Sequence, residues 1–154
     1  METLTATTVT TQQIAKALNS LLANYQIHYQ NLRGFHWNIQ GPQFFDLHAK
    51  FEELYTESAE HIDEVAERIL ALDQRPLHTF QAYLNEAEIK VYQDVHDAQT
   101  SVRAIVEGLQ VLVQIEKHIL QLASAAEDEG TASLVSDLIK GHEKNIWMFM
   151  AYLQ

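Results

Sequence analysis

Cysteine is absent from the sequence, which excludes disulfide frameworks, thiolate zinc sites and cysteine nucleophiles. Only five Gly and two Pro occur among 154 residues, which argues against collagen-like repeats and turn-rich β-sandwiches. No apolar run approaches the roughly 18 residues of a membrane span. The first residues also lack a basic segment followed by an apolar one. We therefore expect a cytoplasmic protein with neither a membrane span nor a secretory signal.

Positive charge is scarce as well. Ten Lys and Arg stand against 21 Asp and Glu, so the net charge is −11 with neutral histidines. This balance repels phosphate backbones and attracts cations. Many of the acids are concentrated between positions 46 and 67. An acidic stretch is most often a solvated helix face, so its spacing must decide whether it has a function.

Apolar periodicity predicts four long helices. The first begins after Thr10, which forms a capping box with Gln13 and is followed by an apolar stripe to Phe35. Gly41 and Pro42 then break the pattern. The second stripe runs over residues 47–72 and ends before the second proline.

The third stripe covers residues 102–126, and Gly130 is its expected stop. Thr131 is the expected cap of a fourth helix that continues to Leu153. The connection from 73 to about 97 is far longer than the others, and Thr79 caps a short helix within it. Four amphipathic helices with one long crossover predict an all-α, ferritin-like four-helix bundle. Residues 1–9 are expected to be a flexible tail and 10–154 one domain.

Two residue pairs on the second helix have the spacing of metal ligands. His48 and Glu52 are four residues apart, as are Asp63 and Glu67, so each pair presents its side chains one turn apart on the same face. On a helical wheel the four lie between about 100° and 200° from Leu47, away from the apolar stripe. Imidazole and carboxylate ligands suit iron(II), zinc or manganese(II), and redox chemistry favours iron.

Distance prevents the two pairs from binding one ion within a single chain. His48 and Asp63 are separated by about 22 Å along a straight helix, whereas metal–ligand bonds are close to ~2 Å. A shared metal therefore requires a second, antiparallel copy of this helix across a two-fold axis, which creates two equivalent sites. Bundles with an internal di-iron site use Glu-x-x-His pairs, and no Glu here has a His three residues later.

A longer set of motifs resembles the signature of the Dps family, the DNA-binding proteins from starved cells or mini-ferritins. The resemblance covers nearly the whole chain and rests on His36-Trp37-Asn38-Ile39-Gln40-Gly41-Pro42, Phe45, Leu47-His48, Phe51-Glu52-Glu53-Leu54-Tyr55, Asp63-Glu64-Val65-Ala66-Glu67-Arg68-Ile69 and Asn145-Ile146-Trp147-Met148-Phe149. It implies a homododecamer built from two-fold dimers, which oxidises iron(II) with hydrogen peroxide, less well with oxygen, and stores ferric mineral.

The resemblance also implies the ligands of the ferroxidase site. They are His36, His48 and Glu52 of one subunit with Asp63 and Glu67 of its two-fold partner. Many family members have Asp in place of Glu52, which leaves Glu53 as an alternative ligand. Trp37 resembles an aromatic residue that absorbs stray oxidising equivalents in the family.

The direct DNA binding known from some family members fits this sequence poorly. Members that bind DNA typically use a tail rich in Lys and Arg, whereas the first basic residue here is Lys16 and the sequence ends soon after the last predicted helix. We expect protection through consumption of iron and peroxide. Compaction of DNA by a nucleoid-associated cage and a non-catalytic bundle with a solvated acidic row are the alternatives.

Asp137 and Glu143 are candidates for acidic pores at three-fold axes, with exposed surface carboxylates as the equal alternative. The other histidines are expected to be surface or structural residues, and Tyr25, Tyr29 and Phe35 to be packing residues.

Overall fold

The computed structural model describes residues 8–154 and contains five helices and no strand within that range. The helices are α1 (Thr11–Asn38), α2 (Phe44–Ala71), α3 (Phe80–Glu86), α4 (Ala98–Ala125) and α5 (Glu129–Leu153). The predicted all-α architecture, with a short helix in the connection between the second and third long helices, is confirmed. None of the described helices is long and apolar enough to cross a membrane.

Local sequence explains where α1 begins. The Thr10 hydroxyl accepts a hydrogen bond from the amide of Gln13 at 3.2 Å, and the Gln13 side chain accepts one from the amide of Thr10 at 2.8 Å. This reciprocal pair is the predicted capping box and satisfies two amides at the helix start. Of the expected tail, residues 1–7 lie outside the described part, and Val9 packs against the core.

A single backbone contact reveals the direction of the helices. The amide of Gln40, just after α1, donates to the carbonyl of His96, just before α4, at 2.9 Å. The end of α1 and the starts of α2 and α4 therefore lie at one end of the bundle. Helices α2 and α4 run in the same direction, opposite to α1 and α5, which is why the connection between α2 and α4 must cross the whole bundle.

Three asparagines of α1 attach this crossover to the bundle. Oδ1 of Asn24 accepts from the amides of Glu88 and Ile89 at 2.8 and 2.9 Å. Asn31 donates to the carbonyl of Lys90 and accepts from a nearby amide, and Asn19 forms an equivalent pair of bonds around residues 75–77. Side-chain amides thus replace the missing backbone partners of an irregular segment.

The turn between α4 and α5 differs from the prediction. Helix α4 ends at Ala125, well before Gly130, and Asp128 caps α5 in place of Thr131. The Asp128 carboxylate accepts from the amide and hydroxyl of Thr131 and from Arg68 of α2 at 2.8 Å. Gly130 lies inside α5, where a Cβ would be only 2.7 Å from the Arg68 guanidinium. The glycine therefore admits the arginine and does not terminate a helix.

Candidate metal centre

His36 and His48 are joined by two reciprocal hydrogen bonds. Nδ1 of His36 is 2.6 Å from the main-chain oxygen of His48, and Nδ1 of His48 is 2.7 Å from the main-chain oxygen of His36. The two rings stack with centroids 3.8 Å apart and an interplanar angle of 11°. The last turn of α1 is thereby fastened to the start of α2 through the two predicted histidine ligands.

These bonds fix the tautomer of both imidazoles. A carbonyl oxygen can only accept, so each Nδ1 must carry its proton and donate. In a neutral ring the other nitrogen, Nε2, then has a free lone pair. Histidines that bind metals commonly have their second nitrogen held in this way, because the bond orients the ring and raises its basicity.

Aromatic side chains hold the pair from both sides. The Phe44 ring stacks on His48 at 4.8 Å, and the Tyr55 ring meets His36 edge-on at 5.3 Å. His36 is buried and His48 is half-buried. Such packing restricts ring rotation, so the protein itself fixes the orientation of the two Nε2 atoms.

The predicted carboxylates all lie on the exposed face of α2. Glu52 is one turn beyond His48, whereas Asp63 and Glu67 lie towards the other end of the helix, and all three are exposed. Glu53 forms an ion pair with Lys50 at 3.2 Å, while Glu52 forms no ion pair within residues 8–154. The structure therefore leaves Glu52 more available to a cation than its neighbour.

One chain does not complete a metal site. Within the part of the chain that the structure describes, no three His, Asp or Glu side chains converge closely enough to hold an ion. The histidine pair and the Asp63/Glu67 pair occupy opposite ends of a 28-residue helix. They can meet only if another copy of α2 packs against the first.

Trp37 follows His36 in the sequence and is 56% exposed. The Arg33 guanidinium sits 4.9 Å above its indole ring and 5.4 Å from the Tyr29 ring. A cation over an aromatic face is attracted by the ring quadrupole. This contact orients the indole on the surface of α1, one residue after His36.

Comparison with known proteins agrees with this fold. The ferritin-like domain family matches residues 15–154. A "DNA protection during starvation protein" of Porphyromonas gingivalis is 42% identical over 144 residues, which cover 92% of this chain and 91% of the relative. The chain belongs to the Dps family.

Solved Dps structures superpose closely on this chain. The Dps protein of Vibrio cholerae O1, described as a member of a broad superfamily of ferritin-like diiron-carboxylate proteins, is 51% identical with a TM-score of 0.92 and covers 94% of this chain and 91% of its own. Dps from Bacillus brevis is 41% identical with a TM-score of 0.91, covering 97% and 100%. The predicted ferritin-like bundle is thus confirmed as that of a Dps protein.

The two candidate pore residues of this Dps chain are exposed and paired with lysines. Asp137 is 3.2 Å from Lys140, and Glu143 is 3.3 Å from Lys117. Both carboxylates are more than half exposed on α5. Nothing in the single chain distinguishes them from other surface acids, so a pore role depends on the assembly.

A buried cluster of hydrogen-bonded polar side chains inside the Dps bundle was not predicted from the sequence. The Tyr25 hydroxyl is 2.9 Å from Nδ1 of His61 and 2.9 Å from Nε2 of His142. Nδ1 of His142 is 3.0 Å from Glu116, which is fully buried. One signal was available: Glu116 interrupts the apolar stripe of α4 between Leu112 and Ile119. Tyr25 and His142 are buried, as the packing and structural assignments expected.

Burial strongly shifts the pKa values of the side chains in and around this buried cluster. It raises the pKa of the Tyr25 phenol far above its ordinary value, and the nearby Glu116 carboxylate adds to the rise. Burial also raises the pKa of Glu116, an effect that the hydrogen bond from His142 partly offsets. The pKa of His28, buried close by, falls to about 3, mainly through burial. The interior of the bundle therefore disfavours every isolated charge.

Proposed function

We propose that this Dps chain oxidises iron(II) with hydrogen peroxide at sites shared by two subunits and stores the ferric product in a hollow homododecamer. The observation that carries the proposal is the stacked His36/His48 pair, with both Nδ1 protons held by carbonyls and both Nε2 atoms free. This pair lies at one end of an acidic helix face whose other end carries Asp63 and Glu67. An isologous dimer brings opposite ends of two such helices together, twice.

The ligands divide the chemistry between them. His36 and His48 bind iron(II) through Nε2, and Glu52 contributes a carboxylate from the same subunit. Asp63 and Glu67 of a second copy supply negative charge, which stabilises the ferric product more than the ferrous substrate because the attraction grows with the charge of the ion. The same donors would accept zinc or manganese(II), so iron is selected by its redox chemistry and supply.

Peroxide suits a site that binds iron ions close together. One peroxide takes two electrons and two protons and becomes two waters while two iron(II) ions become iron(III). Paired transfer avoids the one-electron reaction that generates hydroxyl radical. Oxygen is the slower oxidant in this proposal.

The surface charge favours entry of cations into the shell. A chain with a charge of −11 attracts iron(II), and twelve copies multiply the field. In the proposed assembly, Asp137 and Glu143 line acidic openings at the three-fold axes. Iron(II) would displace the lysine partners of these carboxylates as it passes.

The name of the Porphyromonas gingivalis relative refers to DNA protection, and we propose that this chain protects DNA in the cytoplasm without coating it. Its net negative charge opposes contact with a polyanion. Metal-free protein should leave the migration of duplex DNA unchanged in a gel-shift assay at physiological salt. A retarded band would favour the DNA-compacting alternative.

Iron loading tests the proposal directly. Metal-free protein receives iron(II) and then peroxide, passes through a size-exclusion column, and the iron in the protein peak is assayed. We expect many iron ions per chain in a shell-sized peak, and far fewer in a His48→Ala variant that still assembles. If the wild-type peak contained almost no iron, or eluted at the size of a monomer, the acidic residues of α2 would form only a solvated helix face.

A further inference from the structure

Two histidines from different helices meet the hydroxyl of one tyrosine in the core of the bundle. Nδ1 of His61 in α2 and Nε2 of His142 in α5 each lie 2.9 Å from the hydroxyl oxygen of Tyr25 in α1. The two imidazole centroids are 6.2 Å apart, with the ring planes at 72°. Tyr25 precedes His36 by 11 residues on α1, which is about 16 Å along the helix. The cluster is therefore separate from the His36/His48 pair.

Each of the two histidines has a carboxylate near its far nitrogen, the one that points away from Tyr25. Nδ1 of His142 is 3.0 Å from both oxygens of Glu116 in α4, and Nε2 of His61 is 3.9 Å from Glu57. A carboxylate in this position is a usual neighbour of a metal-bound histidine, because it fixes the tautomer and raises the basicity of the other ring nitrogen. Both near nitrogens thus meet at the phenol as ligands meet at a metal.

Protons alone do not satisfy this arrangement. The Tyr25 hydroxyl has one proton, so it donates to one histidine and must accept from the other. When neutral, the histidine that donates to Tyr25 has a bare far nitrogen, and that nitrogen faces an ionised carboxylate, which can only accept. A cation in place of the phenolic proton removes the conflict. Both near nitrogens then offer lone pairs to the cation, and both far nitrogens donate to their carboxylates.

Glu116 is a buried carboxylate without a Lys or Arg partner among residues 8–154. It is fully buried and its one ion-pair contact is with His142, while its Oε2 has no hydrogen-bond partner in this range. Burial raises the pKa of Glu116, since an isolated carboxylate is costly in a dry interior. The negative charges of a Tyr25 phenolate and the Glu116 carboxylate together balance one divalent cation, which leaves the interior neutral.

We propose that Tyr25, His61 and His142 bind a divalent transition-metal ion, zinc by preference, inside the bundle of each subunit. No three His, Asp or Glu side chains converge on an ion in the described residues, and this site differs because its third donor is a phenol oxygen. On binding, the bond from Tyr25 oxygen to its proton breaks, the oxygen binds the metal, and one proton passes to solvent. Nitrogen and anionic oxygen donors in a four-coordinate site suit zinc.

The cluster needs little rearrangement to hold the ion. Tetrahedral ligands about 2.0–2.1 Å from zinc are about 3.3 Å from one another. Each 2.9 Å contact must therefore open by roughly 0.4 Å. The cavity beside Tyr25 and His142 has a volume of ≈ 10 Å³, which is space for about one water as the fourth ligand. His61 is 22% and Glu57 48% exposed in the single chain, so the ion enters from this side.

The bound ion ties the long helices to one another. Its three protein ligands come from α1, α2 and α5, and Glu116 adds α4 through His142. All of these residues belong to one chain, so this site needs no second copy and does not depend on the proposed function. Zinc should raise the midpoint of thermal unfolding, because an ion bound only by the folded chain stabilises it.

Titration with cobalt(II) provides the main test, because this ion shares the geometry of zinc and absorbs visible light when four-coordinate. The assembled, metal-free background protein carries His48→Ala and Glu67→Ala, which remove one ligand from each half of the shared site. We expect one cobalt per chain with visible bands that zinc abolishes. We also expect phenolate absorption at neutral pH. Only a bound cation can produce it, since burial and the Glu116 charge raise the pKa of Tyr25 far above its ordinary value.

Matched variants in this background identify the ligands. Tyr25→Phe and His61→Asn should abolish the cobalt bands. Tyr55→Phe should keep them, because the Tyr55 hydroxyl forms no hydrogen bond with a histidine among residues 8–154. Glu57→Gln should weaken cobalt binding about 10-fold through His61. Glu60→Gln, which alters an exposed acid of the same helix, should leave the affinity unchanged.

Several results would overturn the inference. The first is a background protein that binds neither cobalt nor zinc, and the second is cobalt binding that Tyr25→Phe and His61→Asn leave unchanged. An equal rise of the unfolding midpoint with zinc in the background protein and in His61→Asn also counts against the site. Should Tyr25→Phe fail to assemble, unaltered binding in His61→Asn and Glu57→Gln is decisive. None of these measurements involves iron oxidation, so the proposed function is judged separately.

Discussion

His36 and His48 each donate a hydrogen bond from Nδ1 to the main-chain oxygen of the other, with the two rings stacked 3.8 Å apart. The arrangement serves both structure and chemistry. It closes the α1–α2 corner and leaves two imidazole nitrogens free for a metal.

A mixing experiment tests whether each site uses two chains. His36→Ala and Asp63→Ala subunits, co-expressed in equal amounts with different tags, should form mixed dimers in which one of the two sites has all its ligands. With random pairing, about a quarter of all sites are intact. Doubly tagged shells should therefore recover about a quarter of the wild-type initial rate of iron oxidation.

The control for this experiment mixes His36→Ala with His48→Ala. Both residues belong to the same half of the proposed site, so every site in a mixed dimer stays defective. Equal recovery in the two mixtures, or no recovery in either, would contradict the shared-site assignment.

Glu52 and Glu53 can be separated by matched substitutions. Glu53 already pairs with Lys50, so Glu53→Gln should leave iron oxidation close to the wild-type rate. Glu52→Gln removes a charge next to His48 and should slow the initial rate at least ~10-fold. Stopped-flow absorbance of the ferric product measures both. The reverse order of effects would make Glu53 the ligand.

Two helical glycines should respond oppositely to alanine. A Cβ at Gly108 of α4 would lie 2.6 Å from Nδ1 of the buried His28, whereas one at Gly141 of α5 meets nothing within 4 Å in the single chain. Gly108→Ala should destabilise the fold by about 1–3 kcal/mol, and Gly141→Ala should stabilise it by about 0.5–1 kcal/mol. Thermal unfolding followed by circular dichroism gives the comparison, and similar shifts for both variants would show that His28 can move aside.

Asp128 should contribute a pH-dependent part of the stability. Burial alone would raise the pKa of its carboxyl, but hydrogen bonds from Thr131 and the charge of Arg68 outweigh burial and hold the pKa below the ordinary 3.8. A carboxyl with a depressed native pKa stabilises the fold fully above its unfolded value and loses that effect as pH falls through the native value. Stability should therefore decline as pH drops below about 3.8.

An Asp128→Asn variant isolates this contribution. It should be less stable than the wild type at neutral pH, and the difference should shrink below the unfolded pKa, where the wild-type carboxyl also becomes neutral. Denaturant unfolding at several pH values measures the difference. If the difference in stability between the two proteins stayed constant down to acid pH, it would come from the shape of the side chain and not from its charge.

The sequence by itself determined the features that depend on near neighbours. The Thr10/Gln13 box and the apolar stripes located the long helices because caps and periodicity act within a few residues. The four-residue spacing likewise placed His48 next to Glu52 and Asp63 next to Glu67 on one helix face. The length of helix between these two pairs showed that both could not bind one metal ion within a single chain. The resemblance to the Dps family added His36. Periodicity alone did not define the position of this residue, because it lies near the end of a helix.

Only the tertiary structure decided the contacts between distant segments. The His36/His48 bonds join residues 12 apart, and the Tyr25–His142 bond spans 117 positions. Arg68 and Asp128 set the start of α5, overriding the local signals of Gly130 and Thr131, because a charged hydrogen bond from another helix outweighs a small difference in capping preference. Glu116 is acceptable inside the core because His142 of α5 is its hydrogen-bond partner. That partner belongs to another helix, so the local sequence of α4 does not reveal it.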